Sequence, residues 1–159
     1  MPPERAIRLR ASAAIVRNGH ILLVEYEDEQ LGHHYNLPGG GVEPGEPVRD
    51  AVRREVREET TAVVEVGPLL LVWEFRSEQD EQAPPDLHVV GLVFRCALAE
   101  GSEPRFPPTP DLWQTGVQWV PLAELLRVPL LPRIAGRLIA ALEEPPADRF
   151  VPNAAGEVE

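Results

Sequence analysis

Three glutamates within five residues, Glu55, Glu58 and Glu59, stand in a stretch whose apolar spacing is helical. At about 100° per residue, Val48, Ala51, Val52 and Val56 share one face, with Glu55 and Glu59 inside that apolar stripe and Glu58 at its edge. Arg49, Arg53 and Arg57 form a separate, outward stripe. Pro47 suits the first turn, where its missing N–H has no intrahelical partner to lose. A carboxylate on a packing face is costly unless it is paired, hydrogen-bonded or bound to a metal. The three acids also repel one another, and Arg54, at i,i+4 spacing to Glu58, is the cation beside them. A divalent cation relieves both difficulties. Magnesium, with manganese as the alternative, is the natural candidate: a hard ion held by a few carboxylates that completes its shell with water and substrate phosphates. The competing account leaves the acids solvated along the rim of the stripe.

Three glycines, Gly39, Gly40 and Gly41, precede this helix and read as a turn. Counted from Gly40, the chain carries Glu46, Arg54, Glu55, Val56, Glu58 and Glu59 at set intervals. This spacing resembles the signature of the Nudix hydrolase family, G-x5-E-x7-R-E-U-x-E-E-x-G-U with U a bulky aliphatic residue, over residues 40–62. Thr61 stands where the signature has glycine, and Ala62 is a small version of its last aliphatic residue. A left-handed threonine at that helix end costs ~1–2 kcal/mol that glycine would not.

The resemblance implies an α/β (α+β) fold, an αβα sandwich with a mixed β-sheet between helices. It implies metal-dependent cleavage of a phosphoanhydride bond in a nucleoside diphosphate linked to another moiety: a nucleoside triphosphate, ADP-ribose or a nucleotide sugar. Glu55, Glu58 and Glu59 would be the metal ligands, the Gly39 or Gly40 carbonyl would complete the coordination, and Glu46 would support the metal. Arg54 would hold the glutamates in position. The general base would be a glutamate of this signature, or box, such as Glu58, or an acid from a later loop. There Asp111, shortly before an apolar strand, is the choice, with Glu100 and Glu103 as alternatives. A Nudix-fold regulator that binds a nucleotide without cutting it is the alternative from another class; the full set of acids in the box favours the enzyme.

The rest of the chain must position these residues. Its 159 residues suffice for one domain, expected over 1–144, with 145–159 an acidic, proline-rich tail expected to be partly disordered. A net charge of −11 argues against a nucleic-acid polymer as partner, and a small nucleotide-type substrate is expected instead. All fifteen cations are arginine. The single cysteine, Cys96, excludes an internal disulfide and reads as a small core residue. The first ten residues lack an apolar core, and no apolar stretch approaches the ~18 residues of a membrane span, so a cytoplasmic protein is the expectation. A homodimer is compatible with the resemblance.

Residues 7–16 and 21–27 read as strands joined by Asn18-Gly19, because both turn positions of such a hairpin need positive φ. Residues 28–35 read as a polar loop carrying His33 and His34 near the mouth of the site. After the helix, residues 62–75 are strand-like with a break at Gly67-Pro68, and the acidic stretch 76–86 is expected to be a mobile connection. Residues 87–98 are apolar enough for a strand covered on both faces. A long loop with four prolines is expected at 99–116, where such loops are usually functional or mobile. A short strand at 117–120, a helical turn at 121–126 and a helix at 131–144 complete the reading, the last with Ile134, Leu138, Ile139 and Leu142 on one stripe. Tyr35, Trp73 and Phe75 are either core aromatics or a surface on which a base stacks.

Overall fold

A computed structural model describes residues 6–155. Strands β1 (Arg8–Arg17) and β2 (His20–Asp28) form the expected hairpin, with Asn18 at φ 51° and Gly19 at φ 73° in the turn. The chain continues through β3 (Gly32–Asn36), β4 (Gly39–Gly41), α1 (Val48–Thr60), β5 (Val64–Arg76), β6 (His88–Leu98) and β7 (Gln114–Pro121) to α2 (Ala135–Glu143) and β8 (Phe150–Val151). Short 3-10 turns lie at Ser77–Gln79 and Leu122–Arg127. The strands form one eight-stranded mixed sheet, ordered β3-β2-β1-β6-β5-β8, with β4 added to β1 and β7 to β2. β1 and β6 run parallel, as do β5 and β8; the other pairs are antiparallel.

The sheet is covered on both faces, and strand alternation decides what each helix meets. Ala11, Ala13 and Ile15 of β1 turn toward Val52 and Val56 of α1, where Leu22, Phe94 and Cys96 complete that core. Ala14, Ile21, Leu23 and Val93 turn the other way, toward Leu138, Ala141 and Leu142 of α2. This is the αβα sandwich with a mixed sheet. Trp119 to Leu122 forms the junction between β7 and the following 3-10 turn.

Four local expectations change. The glycine run is a strand rather than a turn: Arg10, Ala11 and Ser12 pair with Gly41, Gly40 and Gly39. A Cβ on Gly39 would collide with the Ala11 carbonyl and with Ser12, so only glycine lets the two strands approach this closely. The polar segment before it holds a strand as well. In β3, His34 is buried and stacks on Tyr26, whereas neighbouring His33 lies 3.0 Å from Glu25 Oε2, so the two histidines serve opposite faces. α2 begins at Ala135 rather than at 131; Pro132 restricts the residue before it to extended backbone and breaks the turn. β7 begins at Gln114, so the long loop ends at residue 113.

The expected connection at 76–86 contributes Asp80, Gln82 and Pro84 to the wall of a cavity, and Gln79 Nε2 donates to the Pro152 carbonyl at 3.2 Å. The stretch 145–155 is docked: β8 pairs with Val72 and Trp73 of β5, Ala154 is buried, and its N–H donates to the Glu74 carbonyl at 3.0 Å. Residues 156–159 of the expected tail lie outside the described residues.

Candidate active site on the glycine strand and first helix

Helix α1 packs its apolar stripe on the sheet, and that packing carries two of its glutamates inward. Glu59 is 1% exposed. Its Oε1 accepts the Gly39 N–H at 2.9 Å, and its Oε2 accepts the Tyr26 hydroxyl at 2.9 Å. Burial above all pushes the Glu59 carboxyl up to about 8, with Glu55 and Asp111 adding to the rise against those two hydrogen bonds. Glu55 is also held above the ordinary carboxylate range, first by burial and then by Glu58 and Asp111, with Arg54 opposing. Its carboxyl lies against the glycine strand, where a Cβ on Gly40 would fall 2.5 Å from Glu55 Cδ. Glu58 is exposed at the edge of the stripe, as its wheel position predicts.

Arg54 is the hub. Its Nε and Nη2 donate to both oxygens of Glu46, at 2.8 and 3.0 Å. Nη1 donates to Glu55 Oε1 at 2.7 Å, and Nη2 also donates to the Gly41 carbonyl at 3.0 Å. Glu58 Oε2 sits 3.5 Å away, a weak contact. A fork-shaped guanidinium can serve several acceptors at once, which an ammonium could not do in this geometry. Glu46 is thus turned to Arg54 and to the Glu43 N–H, and Arg54 holds its carboxyl below the usual range.

The loop acids separate clearly. Glu103 is committed to Arg17 at 2.6 Å, and Glu100 is an exposed turn residue. Asp111 acts electrostatically on Glu55, Glu59 and Tyr26. The loop that bears it is stitched to the end of α1, because the Arg105 N–H donates to the Thr60 carbonyl at 2.7 Å and the Val63 N–H to Ser102 Oγ at 2.8 Å. Two residues that sequence reasoning passed over belong here: Tyr26, which holds Glu59, and buried Gln114, whose Nε2 donates to the Glu59 carbonyl at 2.8 Å. Neither carries a sequence signal. A tyrosine in a strand and a glutamine beside a tryptophan become informative only when β2 and β7 pair them opposite each other.

The donor set is oxygen only, which suits a hard ion. Among the described residues no three Asp, Glu, His or Cys side chains converge closely enough to cage an ion by themselves. Arg54 engages Oε1 of Glu55 and touches only Oε2 of Glu58. An ion that takes only a few protein oxygens and keeps water or phosphate for the rest, as magnesium does, would suit such a set.

A cavity of about 860 Å³ opens on the α2 face of the sheet, lined in part by Arg10, Ser12, Asn36, Trp73, Phe75 and Leu130. No box glutamate and no residue of the glycine strand lines it, although Arg10 and Ser12, which do, pair with Gly41 and Gly39. Trp73 is buried with its ring against Gly91, and Tyr35 packs on the core with its hydroxyl donating to Glu25 at 2.8 Å. Both are core aromatics, and Trp73 and Phe75 also line the cavity. A smaller cavity of about 540 Å³, near Arg17, Glu65 and Cys96, contains none of the candidate site residues.

The profile described as NUDIX domain matches residues 7–142. The chain belongs to the Nudix hydrolase family. A MutT NUDIX hydrolase from Burkholderia pseudomallei superposes with a TM-score of 0.62 at 32% identity, over 74% of this chain and 85% of that one. The ADP-ribose pyrophosphatase of Methanocaldococcus jannaschii is 39% identical over 80 residues, 50% of this chain and 44% of that protein. Nucleoside triphosphatase NudI of Salmonella agona is 33% identical over 97 residues, 54% of this chain and 64% of its own length. The match thus spans less than two thirds of each of these two relatives.

Of the two departures from the Nudix signature, Thr61 has a measurable cost. Thr61 ends α1 at φ 62°, ψ −5°, the left-handed conformation that glycine adopts freely, and its N–H donates to the Arg57 carbonyl. The side chain is exposed, so no packing compensates. Thr61→Gly should therefore raise stability by about 0.5–1 kcal/mol, part of the strain relief being offset by the freer unfolded chain. A thermal melt should show an increase of roughly 1–4 °C, with the Glu59 contacts unchanged.

Proposed function

We propose that this chain is a magnesium-dependent pyrophosphohydrolase, with manganese as a working substitute, that cleaves a phosphoanhydride in a nucleoside diphosphate linked to another moiety. Nucleoside triphosphates, ADP-ribose and nucleotide sugars are the substrate classes. The observation that carries this reading is the acid cluster: buried Glu59 accepts the Gly39 N–H, Glu55 lies against Gly40, and Glu58 stands exposed beside them on α1. In a chain of net charge −11, such a cluster would repel a diphosphate unless a cation intervenes.

On this reading Glu55, Glu58 and Glu59 hold the ion, with the Gly40 carbonyl beside them. When bound, the ion supplies positive charge beside the phosphate oxygens and a lower pKa for water. The remaining work falls to the chain itself. Arg54 fixes Glu55 against the glycine strand and is itself gripped at two points by Glu46, so Glu46 acts through Arg54. Tyr26 and the Gly39 N–H orient Glu59. Asp111 accepts the proton of the attacking water, a role that requires it to come within ~3 Å directly or through one water. The cavity beyond Arg10 and Ser12 takes the nucleoside or the group attached to the diphosphate. The ADP-ribose pyrophosphatase and nucleoside triphosphatase names of the relatives support two of the substrate classes.

The test is product analysis. The protein is incubated with a panel of nucleoside triphosphates, ADP-ribose and nucleotide sugars, with magnesium, with manganese and with chelator. Metal-dependent release of a nucleoside monophosphate or pyrophosphate from at least one class is expected. Tight, metal-independent binding without turnover across the whole panel would replace the hydrolase with a nucleotide-binding regulator.

A further inference from the structure

The loop of residues 99–113 is tied to the acid cluster through one buried amide. Gln114 is 6% exposed. Its Nε2 donates to the Glu59 carbonyl at 2.8 Å, and its Oε1 accepts the Asp111 N–H at 3.2 Å. Its own N–H donates back to the Asp111 carbonyl at 3.0 Å. The Glu59 carbonyl belongs to the last turn of α1, where carbonyls have no intrahelical partner. One side chain thus satisfies an orphaned helix acceptor with one end and fixes the backbone of the loop acid with the other.

The strand pairing makes this anchor rigid. Gln114 lies opposite Tyr26 in the β2–β7 register, and Tyr26 holds the Glu59 carboxyl. The main chain and the side chain of Glu59 are therefore both gripped from the same pair of strands. Asp111 is exposed and has no ion-pair partner among the described residues. What orients it is its backbone, and Gln114 supplies two of that backbone's hydrogen bonds directly.

We propose that Gln114 is a positioning residue that sets the rate of hydrolysis through Asp111, by holding the 99–113 loop so that this acid stays beside the end of α1 that bears Glu59. The proposal rests on the hydrolase reading above and on Asp111 as the acid that takes the water proton. A purely structural amide would lower stability and slow turnover by the same factor whether or not Asp111 is intact. A positioning amide loses its effect once Asp111 is gone.

The test is a double-mutant cycle. Gln114→Met keeps a similar volume and removes both side-chain hydrogen bonds. It should lower kcat by about 10- to 30-fold, the scale of a misplaced catalytic group, with KM within about 3-fold. In an Asp111→Asn background the same substitution should change kcat by less than about 2-fold. Amide hydrogen exchange gives a readout independent of turnover: the Asp111 amide should be protected in the wild type and exchange at least about 10-fold faster in Gln114→Met. Gln114→Asn, one methylene too short to span both partners, repeats the cycle if the methionine variant does not fold. Equal losses in both backgrounds, or an unprotected Asp111 amide in the wild type, overturn the proposal. An Asp111→Asn enzyme as fast as the wild type also overturns it and leaves the hydrolase reading standing. A wild type that cleaves nothing on the panel overturns that reading and the proposal together.

Discussion

Glu58→Gln will reduce metal-dependent turnover by at least about 10²–10³-fold, the scale seen when a group that stabilises developing charge is removed, and will leave the melting temperature within about 2 °C. The two halves of this expectation have separate causes. The Glu58 side chain is 53% exposed and touches Arg54 only at 3.5 Å, so neither packing nor a strong ion pair is lost. The amide is isosteric but neutral, and it withdraws one of the few charged oxygens available to a cation on this face of α1. Steady-state assays across a magnesium titration, paired with melts, check both halves. Full activity in this variant would remove Glu58 from the site.

Glu59→Gln should also lose activity, but with a different effect on stability: a more stable metal-free protein with little activity. Glutamine can keep both contacts, accepting the Gly39 N–H through its oxygen and donating to the Tyr26 hydroxyl oxygen through its nitrogen. What it removes is a carboxyl pushed up to about 8 by burial. A folded-state value above the unfolded one means that the stabilisation is complete below the ordinary carboxylate range and is lost as pH rises through about 8. Metal-free wild type should therefore weaken between pH 5 and 8 by on the order of 3 kcal/mol, a fall of roughly 5–10 °C in melting temperature. Glu55, also raised, adds in the same direction. Asp28, Glu25, Glu46 and Glu103 are all lowered, so their contributions change only in more acidic solution and leave this window clear. Melts in chelator across the window should slope in the wild type and flatten in Glu59→Gln; a flat wild-type profile would contradict the account. A stabilised but inactive variant is the usual outcome when a functional group is held where packing alone would not put it.

The helix and its inward acids were legible because helical periodicity is local: the positions of Glu55, Glu58 and Glu59 relative to the apolar stripe follow from spacing alone. The first hairpin was legible for the same reason, through Asn18-Gly19. The strained end of α1 was legible as a conditional, since a threonine at a glycine position has a cost only if the backbone turns left-handed, as it does at Thr61. What sequence could not supply was long-range pairing. Gly39 to Gly41 has no side chains to report strand character, and its role depends on the close approach of β1. His33 and His34 look equally polar in a row of letters, although one is buried beneath Tyr26 and the other faces Glu25. Tyr26 and Gln114 lie 33 and 55 residues from Glu59 along the chain, and only the β2–β7 register brings both to it. Sequence position alone favours Asp111 over Glu103; that Arg17 claims Glu103 from 86 residues away was not legible there.

The central claim is that the acids of α1 receive a divalent ion together with a diphosphate. Crystals soaked in manganese and a methylene-bridged nucleotide diphosphate test it most directly, through the anomalous signal of the metal. The account predicts a manganese peak bounded by carboxylate oxygens of Glu55, Glu58 and Glu59, with the diphosphate beside it and the nucleoside in the cavity past Arg10. A map with bound nucleotide, no metal peak on α1, and Glu58 still pointing into solvent would contradict it.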